Sequence, residues 1–155
     1  MDDRIFRKVM GKFATGVTVV TTKTDEGIHG MTANAFMSVS LNPKLITVSI
    51  DNEANILHKI SRSQKFAVSI LSESQQDISM HFAGQTKEER KIDFDYVQNI
   101  PIIKDSLASI ACDVYESYPV GDHTLYIGKV LHVACKEDTP LTFFGGQYGL
   151  YQPVQ

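Results

Sequence analysis

A mainly β fold, a barrel of antiparallel strands with a few short helices, is what this sequence predicts, and three observations carry the prediction. Runs rich in β-branched and aromatic residues recur along the chain at short intervals. Two of the gaps between them, Asp25-Glu26-Gly27 and Pro119-Val120-Gly121-Asp122, hold the residues that tight reversals need. Helical spacing of apolar residues is confined to short stretches. Many strands with few helices favour a sheet that curls onto itself, because closure removes open edges.

Taken in order, residues 4–13 place Ile5, Phe6, Val9, Met10 and Phe13 at helical spacing, with Asp2 and Asp3 available to cap the helix and complement its dipole. An amphipathic first helix is expected. Val17 to Thr22 and Ile28 to Thr32 read as a hairpin, Gly27 supplying the positive φ of the turn. Leu45 to Ile50 alternates apolar and small polar residues after Asn42-Pro43, and Phe66 to Leu71 does the same, with a helix over 55–63 between them. Residues 74–83 can form a short helix, and Gln85 to Asp95 is charged enough to lie on the surface, its conformation open. Leu107 to Tyr118 and His123 to Cys135 form a second, longer hairpin, and Phe143 begins a last short strand.

The 155 residues fit one domain spanning 1–155, and 43% apolar content suffices for one continuous core. Fifteen basic against 18 acidic residues, a formal charge of −3, leave no electrostatic footprint for nucleic acid. The start, Met1-Asp2-Asp3-Arg4, is acidic where a secretory leader is basic, and no run is long enough to span a bilayer, so a cytoplasmic protein away from membranes is expected. Cys112 and Cys135 lie in strand-like runs without dithiol or zinc spacing and read as buried structural thiols. His29, His58, His81 and His132 lack ligand spacing and read as surface or hydrogen-bonded residues, so no metal is expected. A G-x-S-x-G elbow is absent, which leaves a hydrolase without a nucleophile motif.

The most unusual segment is Gly30-Met31-Thr32-Ala33-Asn34-Ala35-Phe36-Met37-Ser38-Val39-Ser40-Leu41-Asn42-Pro43. It leaves a strand and offers small and hydroxylic side chains in succession, so its backbone can lie against a flat ligand. The alternative is an ordinary polar loop between two strands.

Together with Phe13-Ala14-Thr15-Gly16-Val17-Thr18-Val19-Val20-Thr21 upstream, this segment resembles the signature of the flavin reductase-like family, the short-chain NAD(P)H:flavin oxidoreductases. Gly121-Asp122-His123, Pro140-Leu141-Thr142-Phe143-Phe144 and Gly145-Gly146-Gln147-Tyr148 match the family's later motifs in order, so the likeness covers nearly the whole chain. Within the family it is similar above all to the small reductase components of two-component phenol and 4-hydroxyphenylacetate monooxygenases.

The resemblance implies a split β-barrel of the FMN-binding flavin reductase type, a homodimer, FAD or FMN as cofactor and NADH as electron donor. A flavin-dependent monooxygenase would receive the reduced flavin. Met31, Thr32, Ala33 and Asn34 would edge the isoalloxazine, and Ser38, Val39 and Ser40 would continue the wall. Ser49, Ile50, Asp51, Asn52, Glu53 and Ala54 would meet the ribityl chain and phosphate, although two carboxylates there sit awkwardly with an anion. Lys59, Arg62 and Lys91 are possible cationic helpers. Phe82, Ala83 and Gly84 would approach from the far side, and His123 would orient the nicotinamide. His123 in a Gly-Asp-His turn could also simply bond Asp122. Tyr148, after Gly146-Gln147, would either pack on the dinucleotide or close the core.

The lack of a GxGxxG strand-to-helix fingerprint fits NADH held without a Rossmann domain. Two other readings stay open. One is a flavin-binding electron-transfer or oxidase protein on the same barrel that does not use NADH; the other is a non-redox barrel binding oligosaccharide or nucleic acid.

Overall fold

A computed structural model describes residues 1–155. The chain runs α1 (Asp3–Met10), β1 (Thr15–Gly16), β2 (Thr18–Thr24), β3 (Gly27–Ala33), β4 (Phe36–Leu41), β5 (Lys44–Asp51), α2 (Asn55–Ser63) and β6 (Lys65–Ile70). A single 3-10 turn (Glu73–Gln75) leads into α3 (Gln76–Phe82), followed by β7 (Phe94–Val97), β8 (Ile100–Ile103), β9 (Ala108–Val120), β10 (His123–Cys135), β11 (Leu141–Phe144) and β12 (Gln147–Leu150).

Seven strands form one antiparallel sheet in the order β3-β2-β6-β9-β10-β5-β4. Its two edge strands, β3 and β4, are neighbours in the chain, joined by Asn34-Ala35 alone. The seam of the barrel is therefore crossed by covalent chain and not by a ladder; the bond from Ser49 N–H to the Ala35 carbonyl at 3.0 Å continues the β4–β5 pairing by one residue. The sheet curls without closing its ladder, which is the split barrel that the family resemblance implies.

The sheet curls because its inner residues converge on one cluster: Val20 of β2, Ile46, Val48 and Ile50 of β5, Phe66 and Val68 of β6, Cys112 of β9 and Tyr126 of β10. Ile56 and Ile60 of α2 complete it, the i, i+4 spacing placing both on one helical face. Gly128 sits where a Cβ would come within 2.7 Å of the Phe66 ring and 2.8 Å of Cys112, so glycine is what lets Phe66 lie flat on β10. A second cluster, Val17, Val19, Leu71, Ile103 and Leu141, lies under α3, with Phe82, Phe143 and Tyr148 packed against it. β8 pairs in a ladder only with β7 and is fastened to the barrel by side chains instead, Thr21 donating to the Pro101 carbonyl and Ile103 N–H donating to Ser69 Oγ.

Several elements differ from the sequence expectation. The segment after Met31 is not one loop: Met31 to Ala33 finish β3, and Phe36 to Leu41 form β4, with a bulge between Ser38 and Ser40 and a cis Asn42-Pro43 bond in the turn that follows. The hairpin strands β9 and β10 extend to Val120 and from His123, leaving only Gly121-Asp122 as the turn. β7 begins at the end of the charged segment 85–95, and β8 follows it; neither strand is predicted from the sequence. Cys112 is buried and its thiol pushed up to about 12 by burial, as an inert core thiol should be, but Cys135 is exposed at the uncovered end of β10, correcting the expectation of a second buried thiol. α1 forms with Asp2 Oδ1 accepting from Arg4 N–H at 2.8 Å, yet buries none of its residues in this chain.

Candidate functional site

The three stretches that approach one another at the barrel seam are the end of β3, the turn from β5 into α2, and the β9–β10 tip. Antiparallel pairing of β5 with β10 sets His123 opposite Asp51 and Leu125 opposite Ser49. Asn52 then locks the turn to the tip: its N–H donates to the Asp122 carbonyl at 3.0 Å, and its Oδ1 accepts from Thr124 Oγ1 at 2.7 Å. Ser49 is in turn bonded to Ala35, next to Asn34. One continuous set of backbone bonds thus links residues 34–35, 49–52 and 122–124.

Each predicted side chain has a definite role in this frame. Met31 and Ala33 pack on the core beneath α2, and Thr32 donates to the Ser79 carbonyl at 2.6 Å. What this stretch presents outward is backbone, because β3 is an edge strand whose alternate N–H and C=O groups have no ladder partner. An alternating row of donors and acceptors suits the pyrimidine edge of a flavin, which carries the complementary row. Asn34, Ser38 and Val39 are exposed, Ser40 half-buried, and the β4 bulge at Val39 is of the kind that re-aims side chains beside a site. Ile50 is wholly buried, so only its backbone can face a ligand.

The N-terminus of α2 is open. Its cap residue, Ala54, has no side chain to accept a bond, and the N–H groups of Asn55 and Ile56 find no backbone acceptor either. Asp51 turns one carboxylate oxygen to Glu53 N–H at 2.9 Å, which explains a carboxylate in this turn: it holds the turn's shape. Unmet N–H groups at the positive end of a helix dipole fit a phosphate. Of the three expected cationic helpers, Lys59 and Arg62 pair with Glu26 and Asp25 at the other end of α2, and Lys91 lines a separate cleft with Arg90, Lys104 and Lys136. The helix itself is therefore the main anion feature here.

His123 is half-buried, and its Nδ1 lies 2.7 Å from Asp122 Oδ1. That bond holds the Asp122 carboxyl below the usual carboxylate range. The bond to Asp122 is the alternative that the sequence offered for His123, and it makes Asp122, next after a glycine at φ +61°, a functional candidate that the sequence had not singled out as a site residue.

A second group stands on the other side of β3. Phe82 lies against Gly30, where a Cβ would come within 2.6 Å of its ring, and His81 and Phe94 meet Phe82 edge-on. Tyr148 donates to or accepts from Ser79 Oγ at 2.7 Å and meets Phe143 edge-on, so it closes the second core cluster. Thr32, Ser79 and Tyr148 form a chain of contacts from β3 through α3 to β12 that the sequence did not disclose. Ala83, Gly84, Gly146 and Gln147 are exposed around this group.

Residues 10–151 match the model of the flavin reductase like domain. An NADH-dependent flavin reductase of Rhodococcus sp is 41% identical over 145 residues, covering 92% of this chain and 82% of that protein. The reductase component of 4-hydroxyphenylacetate 3-monooxygenase from Thermus thermophilus is 38% identical, covering 92% of this chain and 93% of that protein. Among solved structures, flavin reductase PheA2 superposes with a TM-score of 0.97 at 53% identity, covering 99% of this chain and 100% of that one. The styrene monooxygenase flavin reductase of Pseudomonas putida superposes at 0.90 with 32% identity, covering 97% and 99%. The chain belongs to the flavin reductase-like family.

Proposed function

We propose that this member of the flavin reductase-like family is an NADH-dependent flavin reductase, an NAD(P)H:flavin oxidoreductase that moves a hydride from NADH to bound FAD or FMN. The reduced flavin then serves a partner flavin-dependent monooxygenase, a reading supported by two relatives named as the reductases of monooxygenases. The observation that carries this reading is the junction of β3's free edge, the open N-terminus of α2 and the His123 tip through Asn52 and Ser49.

When bound, a flavin supplies the electron-accepting ring, and the donor dinucleotide supplies the hydride. The chain's own residues have to orient and exclude. The backbone of 31–33 with Asn34 fixes the pyrimidine edge; Ser38, Val39 and Ser40 extend that wall. The N–H groups at the start of α2, reached through Ser49, Ile50, Asp51, Asn52, Glu53 and Ala54, receive the phosphate. His123 orients the nicotinamide carboxamide, and Phe82, Ala83 and Gly84 with Gly146, Gln147 and Tyr148 bound the far side. No side chain has to move a proton in the hydride step: the carboxylates at the site are engaged in holding its shape, Asp51 on Glu53 N–H and Asp122 on His123.

A homodimer accompanies this reading. Ile5, Phe6, Val9 and Met10 of α1 and Met37, Val39 and Leu41 of β4 are all more than 40% exposed, apolar groups of the kind that a partner chain covers. Sedimentation at micromolar concentration reads the state directly, a monomer counting against it. A cytoplasmic location agrees with two unpaired thiols and with no helix long and apolar enough to cross a membrane.

The test of the activity is the decay of NADH absorbance on mixing the purified chain with NADH and either FAD or FMN. We expect turnover with both flavins and, without oxygen, bleaching of the bound flavin's visible band. An absence of NADH consumption with either flavin overturns the proposal.

A further inference from the structure

We infer that Asp122 is a positioning residue that fixes the tautomer of His123, so that a bare Nε2 faces the nicotinamide and accepts from the carboxamide NH2. This rests on the reductase reading above and assigns the group within that site which decides how NADH is oriented.

The chemistry is set by what each atom can do. A carboxylate has no proton to give, so across the 2.7 Å contact Nδ1 must be the donor and Asp122 Oδ1 the acceptor. In the neutral ring the other nitrogen then carries no hydrogen and can only accept. A nicotinamide carboxamide has one end of each kind, a carbonyl and an NH2, and only the NH2 end suits a bare Nε2. Without Asp122, the ring would be free to place its proton on Nε2 and hold the carboxamide by its carbonyl, the flipped orientation.

Asp122 can do this because the backbone around it is fixed independently of its side chain. Its carbonyl accepts from Asn52 N–H, Gly121 takes the positive φ of the turn, and Thr124 is bonded to Asn52 Oδ1. The carboxylate is otherwise free: its only side-chain contact is His123, and no cation pairs with it. An ordinary carboxyl is already ionised at neutral pH, and the contact with His123 lowers this one further.

The experiment is a double-mutant cycle with Asp122→Ala, His123→Ala and the pair, read as KM for NADH, kcat and flavin affinity. We expect Asp122→Ala to raise KM about fivefold, the worth of one neutral hydrogen bond, with kcat and flavin affinity changed less than about twofold. Acting through His123, it should add nothing in the double variant. The reduced 3-acetylpyridine analogue of NADH lacks the NH2; it should be disfavoured by the native enzyme and lose that disadvantage in both single variants. Asp122→Asn, whose amide oxygen can still accept from Nδ1, should recover most of the loss.

Nitrogen-15 correlation spectra of the His123 ring, assigned by difference from His123→Ala, should report the proton on Nδ1 in the native protein and a mixture in Asp122→Ala. Losses that multiply in the double variant, or an Asp122→Ala effect that falls equally on flavin binding, overturn the inference and make Asp122 a turn residue only. Should the native protein fail to oxidise NADH, the reductase reading falls, while the ring spectra still report whether Asp122 sets the tautomer.

Discussion

The two ends of α2 are built on opposite terms. At its C-terminus every feature is answered within the chain: Gln64 takes the left-handed conformation at φ 58° and returns its N–H to the Ile60 carbonyl, and Arg62 and Lys59 pair with Asp25 and Glu26 of the β2–β3 turn. Beside it, Ser63 and Thr22 share bonds with the Lys65 carbonyl. At the N-terminus Ala54 caps nothing, two N–H groups stay unmet, and the neighbouring hairpin tip exposes Asp122. A helix nine residues long thus carries a stabilised end and an end that sacrifices a cap's stability for binding.

Between the ends lies the packed body, and the largest expected effect breaks the comparison by removing what both share. Gly128→Ala forces a methyl onto Phe66 and Cys112, the floor on which Ile56 and Ile60 rest. Overpacking of this kind costs about 1–3 kcal/mol. For a chain of this size that lowers Tm by roughly 3–10 °C in a thermal melt. KM for NADH per folded molecule should rise too, since β10 carries His123 at its start.

The next effect separates the ends. Ala54→Asp gives α2 the cap it lacks and should raise stability by about 1 kcal/mol. The same carboxylate occupies the donors assigned to phosphate, so affinity for FMN should drop about tenfold, a loss of about 1.4 kcal/mol. Riboflavin, which has no phosphate, should bind as before. Titration of both flavins against fluorescence quenching reads the contrast, and an equal loss for the two would place the phosphate elsewhere.

How much of this was legible in the chain follows the same division. Where apolar periodicity meets a packed partner, sequence sufficed: α2 forms over Asn55–Ser63 as its spacing predicts, and β2, β3, β9 and β10 follow their runs of β-branched residues. Edge elements were hidden. β4 has apolar residues on its outer side and hydroxyls interleaved, so Met37-Ser38-Val39-Ser40 reads as a polar loop; only its position at the sheet seam makes it a strand. β7 and β8 carry Asp95 and Pro101, both poor strand residues, and persist because Thr21 and Ser69 bond β8 from the barrel. Family motifs singled out His123 and residues 49–54, but that Asn52 ties them together depends on a cross-strand register that local sequence does not encode.

At the closed end, Gln64→Gly should relieve the left-handed backbone and raise stability by about 0.5 kcal/mol, offset in part by losing the Gln64 side-chain bond to the Ser61 carbonyl. Neither flavin should change its affinity. A loss of FMN binding from this substitution would mean that the two ends communicate through the helix, and the comparison would fail.

The smallest effect is electrostatic and depends on pH. Lys59 and then Arg62 hold the Glu26 carboxyl below its ordinary value of 4.5. A group whose folded value is lowered adds stability above the unfolded value, and that contribution fades as pH falls through the folded one. Glu26→Gln should therefore melt slightly below the native protein at neutral pH, and the gap should close as the pH is taken well under 4.5. Because Glu26 lies at the surface, salt should narrow the same gap, and a difference that survived both acid and salt would show that the turn is held by packing and not by charge.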